Sequence, residues 1–120
     1  MQKKAAVDIG SNSIRYLGPN GERRLITTRL AENIISTGKL SDAAIERSIA
    51  ALKELAALAA AQGAKPYAYA TSAVRDAKFG SRERFLALAE EIMPVRVLSG
   101  EEEATFARIG AGIADKPDWG

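Results

Sequence analysis

The first thirty residues contain short apolar segments separated by turn-forming residues. Residues 4–9 form an apolar run interrupted by one acid, which predicts a buried strand. Residues 14–17 predict a second strand and residues 22–29 a third, whose open face carries basic side chains. A strong turn signal, Gly-Pro-Asn-Gly, lies between the second and third strands. We therefore predict a three-stranded antiparallel meander at the start of the chain.

From residue 41 the apolar positions recur at the spacing of an α-helix. Ser41 is a suitable N-cap residue, and Asp42 lies in the first turn, where a negative charge is favoured. Gly63 is suited to the position just after a helix end. Between these signals the sequence predicts a long amphipathic helix whose inner face carries Ile45, Ile49, Leu52, Ala56 and Ala59.

The rest of the chain predicts two more strands and two more helices. The strands are expected at residues 66–71 and 95–98. Ser99 and Glu102 fit a capping box that opens a last helix, running through about residue 111. The helix between the two strands, residues 81–92, ends before Pro94 and has an apolar face formed by Phe85, Leu88, Ala89 and Ile92.

The predicted order of elements along the chain is β-β-β-α-β-α-β-α. Because each later strand is reached through a helix, it extends the meander in parallel through a right-handed crossover. The length of 120 residues suffices for one such domain. The sequence therefore predicts an α/β fold with a mixed five-stranded sheet of the ribonuclease-H-like type.

Composition narrows the chemistry that this domain can perform. The sequence has neither cysteine nor histidine, which excludes thiolate nucleophiles, zinc–sulfur sites, Ser-His-Asp triads and imidazole bases. A bound metal would be a hard cation held by oxygen, so magnesium is favoured over zinc. Aromatic residues are 6% of the chain, too few for a stacking platform on nucleic acid, and the net charge of +2 indicates no particular partner. With no apolar stretch of membrane-spanning length and no signal peptide, we expect a cytoplasmic protein with no membrane or nucleic-acid partner.

The first candidate site combines an acid with a turn-forming loop. Gly10, Ser11, Asn12 and Ser13 follow the first predicted strand, and backbone N–H groups in such a loop can turn inward as an anion-binding nest. A carboxylate beside bound phosphate repels it unless a cation lies between them, so Asp8 next to this loop indicates a magnesium–phosphate site. The alternative is a plain hairpin turn, since Gly, Asn and Ser are common turn residues.

Arg75 and Glu103 are the other candidates. Arg75 follows the strand predicted at residues 66–71, and mixed sheets bind ligands beyond such strand ends. There the planar guanidinium of Arg75 can contact phosphate oxygens. The alternative is an ordinary surface arginine. Glu103 is the last of three consecutive acids in a first helical turn. Those acids complement the helix dipole, which is one explanation for them. If Glu103 instead faces a cleft together with Ala107 and Gly110, its carboxylate can orient a water molecule.

These motifs resemble one family, the exopolyphosphatase/guanosine pentaphosphate phosphohydrolase (Ppx/GppA) family. Four stretches in the family's order carry the resemblance: AVDIGSNSIR (6–15), TGKLS (37–41), ATSAVRDA (70–77) and LSGEEEA (98–104). The resemblance implies one ribonuclease-H-like lobe of the two-lobed actin and sugar-kinase fold. It further implies Mg2+-dependent hydrolysis of a terminal phosphoanhydride in inorganic polyphosphate or guanosine pentaphosphate. In that scheme residues 10–13 bind phosphate, Asp8 is linked to magnesium, Arg75 contacts phosphates and Glu103 activates water.

Two departures from the family pattern bear on function. The hairpin between residues 14 and 29 is shorter than the family's, and the second phosphate loop is missing, because Asp-Ile-Gly occurs once. Residues 1–113 are therefore expected to be the N-terminal lobe, with residues 114–120 a linker toward an absent second lobe. Alternatives to a catalytic lobe are a binding or self-associating module, in which a second copy replaces the missing lobe, and an actin-type ATPase lobe.

Overall fold

The computed structural model describes residues 3–105, and a mixed five-stranded sheet organises them. The strands lie in the order β3-β2-β1-β4-β5 across the sheet. The pairs β1–β2 and β2–β3 are antiparallel, whereas β1–β4 and β4–β5 are parallel, which confirms the predicted meander and its parallel extension. The strands are β1 (Lys3–Ile9), β2 (Ser13–Leu17), β3 (Arg23–Thr27), β4 (Ala64–Ala70) and β5 (Val95–Val97).

Helices α2 and α4 supply the core that covers one face of the sheet. Side chains alternate between the two faces of a strand, so Ala5, Val7 and Ile9 of β1 are buried in this core while Asp8 lies on the other face. The helices are α1 (Ile34–Thr37), α2 (Asp42–Ala61), α3 (Ser72–Arg75) and α4 (Ser81–Glu90), and residues 100–105 are also helical.

The long helix α2 begins and ends as its sequence predicts. The Ala44 N–H donates to the Ser41 side chain at 3.1 Å, and Gly63 has the left-handed φ of 69° that follows many helix ends. The buried face differs in detail from the prediction. The face of α2 turned to the sheet is wider than a single apolar stripe and includes Leu55, which is fully buried. Ile49, which was predicted on this face, is only partly buried.

Two helices of one turn each, α1 and α3, were absent from the predicted order. Four residues are too few to show a helical period, and such short helices depend on tertiary contacts. The third strand is also shorter than predicted, because Thr28 and Arg29 donate their N–H groups to a loop carbonyl instead of continuing the ladder.

The later elements also differ slightly from their predicted bounds. β4 begins at Ala64 and includes Pro66, which lacks an N–H group but lies before the three residues that pair with β5. Helix α4 ends at Glu90, two residues earlier than predicted. Leu88 was predicted in the core but is 37% exposed, and Leu86 is packed against the core instead.

Three expectations concern residues beyond the described range. The end of the last helix near residue 111, the domain boundary at residues 113 and 114, and the shared face of Glu103, Ala107 and Gly110 all rest on residues 106–120. Within the described residues, no helix combines the length and apolar content needed to cross a bilayer.

Candidate functional site

Asp8 lies near the end of β1 on the face of the sheet opposite the core. The strand register places it between Arg15 of β2 and Tyr69 of β4. Its carboxyl group is partly buried, and this burial raises the pKa of Asp8 above its ordinary value. The charge of Arg15 lowers this pKa and the charge of Glu103 raises it. Asp8 is therefore a carboxylate whose charge is poorly compensated by the protein alone.

The loop of residues 10–13 requires glycine at its first position. The Gly10 N–H donates to the Ser13 carbonyl oxygen at 3.1 Å, which closes the loop between β1 and β2. A Cβ atom at residue 10 would lie 2.9 Å from that same oxygen, closer than such atoms approach in proteins. The tight return of the chain, not a left-handed backbone angle, selects glycine here.

The carbonyl groups of this loop are engaged by a neighbouring segment. Those of Ser11 and Asn12 accept hydrogen bonds of 2.9 to 3.0 Å from the backbone N–H groups of Thr28, Arg29 and Ala31. In the described part of the chain, the N–H groups of Ser11 and Asn12 themselves have no backbone acceptor. Since these two amides and the loop hydroxyls remain available, the loop has the donors that an anion-binding nest needs.

The end of β4 lies beside the 10–13 loop. Thr71, the residue before α3, donates from its hydroxyl to the Ile9 carbonyl oxygen at 3.3 Å and so joins the ends of two parallel strands. Arg75 lies at the end of α3, with its side chain 25% exposed. Its guanidinium donates to the Leu98 carbonyl oxygen at 3.1 Å and lies 3.5 Å from the Glu103 carboxylate.

The capping box predicted at Ser99 and Glu102 is present and orients the acids that follow β5. The Ser99 N–H donates to the Glu102 carboxylate at 3.1 Å, and the Glu102 N–H donates to the Ser99 hydroxyl at 3.0 Å. The backbone hydrogen bond from Ser99 lowers the pKa of Glu102, which also pairs with Arg96. Glu102 is thus a structural acid, while its neighbour Glu103 contacts Arg75 and lines the cleft.

The structure brings most of the predicted residues into one open cleft of about 970 Å³. Its lining includes Asp8, the 10–13 loop and Glu103, together with Thr71 and Arg15, which sequence reasoning missed. Thr71 belongs to the candidate stretch that contains Arg75, but no sequence pattern assigned it a role of its own. Arg75 does not line the cleft but contacts Glu103, which does. The predicted contact of Arg75 with phosphate therefore stays a prediction.

The cleft offers two carboxylates for a metal ion. Residues 3–105 contain no group of three acids placed to form a complete metal cage. Mg2+ commonly binds one or two carboxylates and completes its octahedron with waters and substrate phosphate oxygens. Asp8, whose charge is only partly compensated by Arg15 and which lies beside the loop donors, fits that mode of binding, in which the substrate contributes ligands.

Solved structures with a similar fold include exopolyphosphatase and Ppx/GppA proteins. A crystal structure of an exopolyphosphatase-like protein is 34% identical, with a TM-score of 0.77 over 85% of this chain and 34% of that one. The Aquifex aeolicus Ppx/GppA family member is 31% identical, with a TM-score of 0.77 over 94% of this chain and 39% of its own. An exopolyphosphatase from Cytophaga hutchinsonii has a TM-score of 0.81 at 21% identity, which supports the fold alone. The predicted fold class is therefore confirmed.

Sequence comparison gives the same assignment. Exopolyphosphatase 1 of Mycobacterium tuberculosis is 32% identical over 108 residues, covering 82% of this chain. The chain spans only 31% of the length of that relative. The model of the Ppx/GppA phosphatase family matches residues 21–114, a range that includes Arg75 and Glu103. The chain belongs to the Ppx/GppA phosphatase family.

Proposed function

We propose that this chain is the N-terminal lobe of a Mg2+-dependent hydrolase that releases terminal phosphate from inorganic polyphosphate. The observation that carries the proposal is the meeting of Glu103, Asp8 and the 10–13 loop in one cleft, although the first two are far apart in sequence. An anion nest beside two acids is suited to holding a phosphate chain next to a group that can accept a proton.

The 10–13 loop would bind the terminal phosphate. The N–H groups of Ser11 and Asn12 have no backbone acceptor among the described residues, and the Asn12 N–H points away from the segment that holds the Ser11 carbonyl of the same peptide unit. The hydroxyls of Ser11 and Ser13 add two more donors beside them. Fixed donors of this kind stabilise charge that spreads over the phosphate oxygens in the transition state, without reorganising during the reaction.

Glu103 would orient the attacking water and accept its proton. The water oxygen forms a bond to the terminal phosphorus while the bridging P–O bond breaks, which yields phosphate and a chain one unit shorter. Arg75, 3.5 Å from the Glu103 carboxylate and hydrogen-bonded to the Leu98 carbonyl, holds this acid in place. The absence of histidine makes a carboxylate the natural base in this chain.

Asp8 would hold Mg2+ near the bound phosphate. The metal would neutralise phosphate charge and the charge of Asp8 together.

Guanosine pentaphosphate has the same terminal phosphoanhydride and is included in the proposal as a second substrate. The remaining phosphate ligands would come from a second lobe, since the relatives are about three times as long as this chain.

Phosphate release from long-chain polyphosphate and from guanosine pentaphosphate, measured with Mg2+, tests this proposal. Glu103→Gln should reduce release about 10²- to 10⁴-fold, the usual contribution of a general base. Glu101→Gln is the matched control, because Glu101 is an exposed acid in the same helical turn. Equal rates for wild type and Glu103→Gln would contradict the assignment of the base.

A binding or self-associating module is the second candidate. It is favoured by the single Asp-Ile-Gly loop of the sequence, which gives a phosphate one set of donors instead of two. In this case the chain binds polyphosphate without releasing phosphate, and a second copy supplies the other half of the cleft. Sedimentation equilibrium separates these outcomes, since a strict monomer with no turnover would exclude the paired form.

A further inference from the structure

The 10–13 loop is held from behind by residues 28–32, which we call the 28–32 turn. Three N–H groups of this turn donate to the carbonyls of Ser11 and Asn12, at 2.9 to 3.0 Å. In a planar trans peptide unit the carbonyl of one residue and the N–H of the next point in opposite directions, so the Ser11 carbonyl turns the Asn12 N–H, and the Asn12 carbonyl the Ser13 N–H, away from the turn. The position of the 28–32 turn therefore determines which way the donors of the loop point.

The 28–32 turn has a backbone conformation that needs external support. Arg29 has a φ of 50°, in the left-handed region that is unfavourable for a residue with a side chain. Within the turn, only the hydrogen bond from the Glu32 N–H to the Arg29 carbonyl, 3.0 Å long, closes this geometry. One such bond contributes about as much as the strain costs, so contacts from outside the turn are needed to hold it.

The turn is held from outside by its three hydrogen bonds to the loop and by the buried Leu30 side chain, and Arg47 of helix α2 adds side-chain hydrogen bonds to it. Its Nε donates to the Thr28 carbonyl at 2.9 Å, and its Nη2 donates to the Arg29 carbonyl at 3.4 Å and to the Glu32 carboxylate at 2.9 Å. Hydrogen bonding and charge from Arg47 lower the pKa of Glu32, as expected of a well-formed pair. The guanidinium fork thus reaches three residues of the turn from a long, well-capped helix.

We propose that Arg47 is a positioning residue for the phosphate-binding loop. It fixes the 28–32 turn, the turn fixes the carbonyls of Ser11 and Asn12, and the freed amides of that loop face the phosphate. Lysine cannot replace it, because a single ammonium cannot span two carbonyls and a carboxylate in the geometry of a planar fork. The effect on phosphate binding rests on the proposed function, whereas the effect on loop geometry does not.

The test uses Arg47→Lys and Arg47→Ala with two measurements. Amide hydrogen exchange reports whether the N–H groups of the 28–32 turn stay protected, with strand β1 as internal reference. Titration calorimetry with tripolyphosphate and Mg2+ reports binding. Lys53→Ala controls for loss of one positive charge on the same helix, and Ala57→Gly controls for a general loss of stability, because glycine weakens the helix at an exposed position.

Both Arg47 variants should lose protection in the 28–32 turn and bind tripolyphosphate about tenfold more weakly, as is typical when a supporting shell is removed. Both controls should retain protection and affinity. Wild-type protection of the turn in Arg47→Lys would overturn the positioning role. A wild-type chain that fails to bind tripolyphosphate would contradict the phosphate site proposed at the 10–13 loop, while the exchange data would still decide whether Arg47 sets the loop.

Discussion

Substitution of Gly10 by alanine tests the phosphate-binding role of the 10–13 loop through its geometry. The added Cβ would lie 2.9 Å from the Ser13 carbonyl oxygen, whereas ordinary contacts begin at 3.4 Å. The oxygen must therefore retreat by about half an ångström. Because the Gly10 N–H donates to that same oxygen at 3.1 Å, the movement also weakens the hydrogen bond that closes the loop.

The expected cost of Gly10→Ala is about 1–3 kcal/mol in the free energy of unfolding, the range for inserting a methyl group where it does not fit. Gly63→Ala is the matched control. Gly63 has a φ of 69° and nothing within 4 Å of its added Cβ, so the cost there is about 1 kcal/mol and comes only from backbone strain. The two variants thus have comparable stability losses at distant places in the chain.

Urea denaturation and tripolyphosphate titration distinguish the two variants. Both should unfold at lower urea concentration than wild type. Only Gly10→Ala should also lose affinity, by about tenfold, because each misdirected donor to a charged oxygen costs on the order of 1.5 kcal/mol. Wild-type affinity in Gly10→Ala, alongside the expected loss of stability, would show that the loop does not bind phosphate.

Four further substitutions test the charge balance, the core and the helix cap. Burial and the charge of Glu103 raise the pKa of Asp8, so the folded state binds the proton of this carboxyl more tightly than the unfolded state does. Ionisation of Asp8 therefore lowers the free energy of unfolding above that raised pKa. Asp8→Asn should therefore need more urea to unfold at pH 7, with the difference disappearing below the ordinary value of 3.8; equal midpoints at pH 7 would contradict this. Phe85→Ala, at a fully buried position, should lower the free energy of unfolding by about 3–5 kcal/mol in urea denaturation. Leu88→Ala, at a position that is 37% exposed, should lower it by less than about 1 kcal/mol, and similar losses for the two variants would place both residues in the core. Ser99→Ala should cost about 1 kcal/mol in urea denaturation and slow phosphate release, and an unchanged rate would separate the cap from catalysis.

Features that depend on neighbouring residues could be predicted from the sequence. The N-cap of α2 and the capping box after β5 are each determined within a few residues. In both, hydroxyl or carboxylate oxygens accept hydrogen bonds from backbone N–H groups that have no partner within the helix. The same holds for Asp8 and Gly10, which are close in sequence and belong to one strand-to-loop transition. Local chemistry sets these positions, whatever the rest of the chain does.

Features that depend on packing could not be predicted in the same way. No sequence pattern indicates that Arg47 of α2 contacts a turn between β3 and α1, because that contact exists only after the helix packs on the sheet. The contact of Arg75 with the Leu98 carbonyl is of the same kind. One-turn helices such as α1 and α3 are missed for a related reason, since tertiary contacts and not periodicity stabilise them.

The charges of the cleft explain why a cation belongs in the proposed reaction. Asp8 and Glu103 repel each other, and each would repel a phosphate chain bound at the 10–13 loop. Arg15 offsets part of the charge of Asp8, and Arg75 is engaged with Glu103. Arg23 and Arg24 also line the cleft, but they pair with Leu17 and Tyr16, at the end of β2 away from the 10–13 loop. The loop donors can fix the position of a phosphate but add no full positive charge. A divalent ion between Asp8 and the phosphate would replace their repulsion by attraction of both to the ion. The bound phosphate would then lie beside the base, Glu103, without displacing either carboxylate.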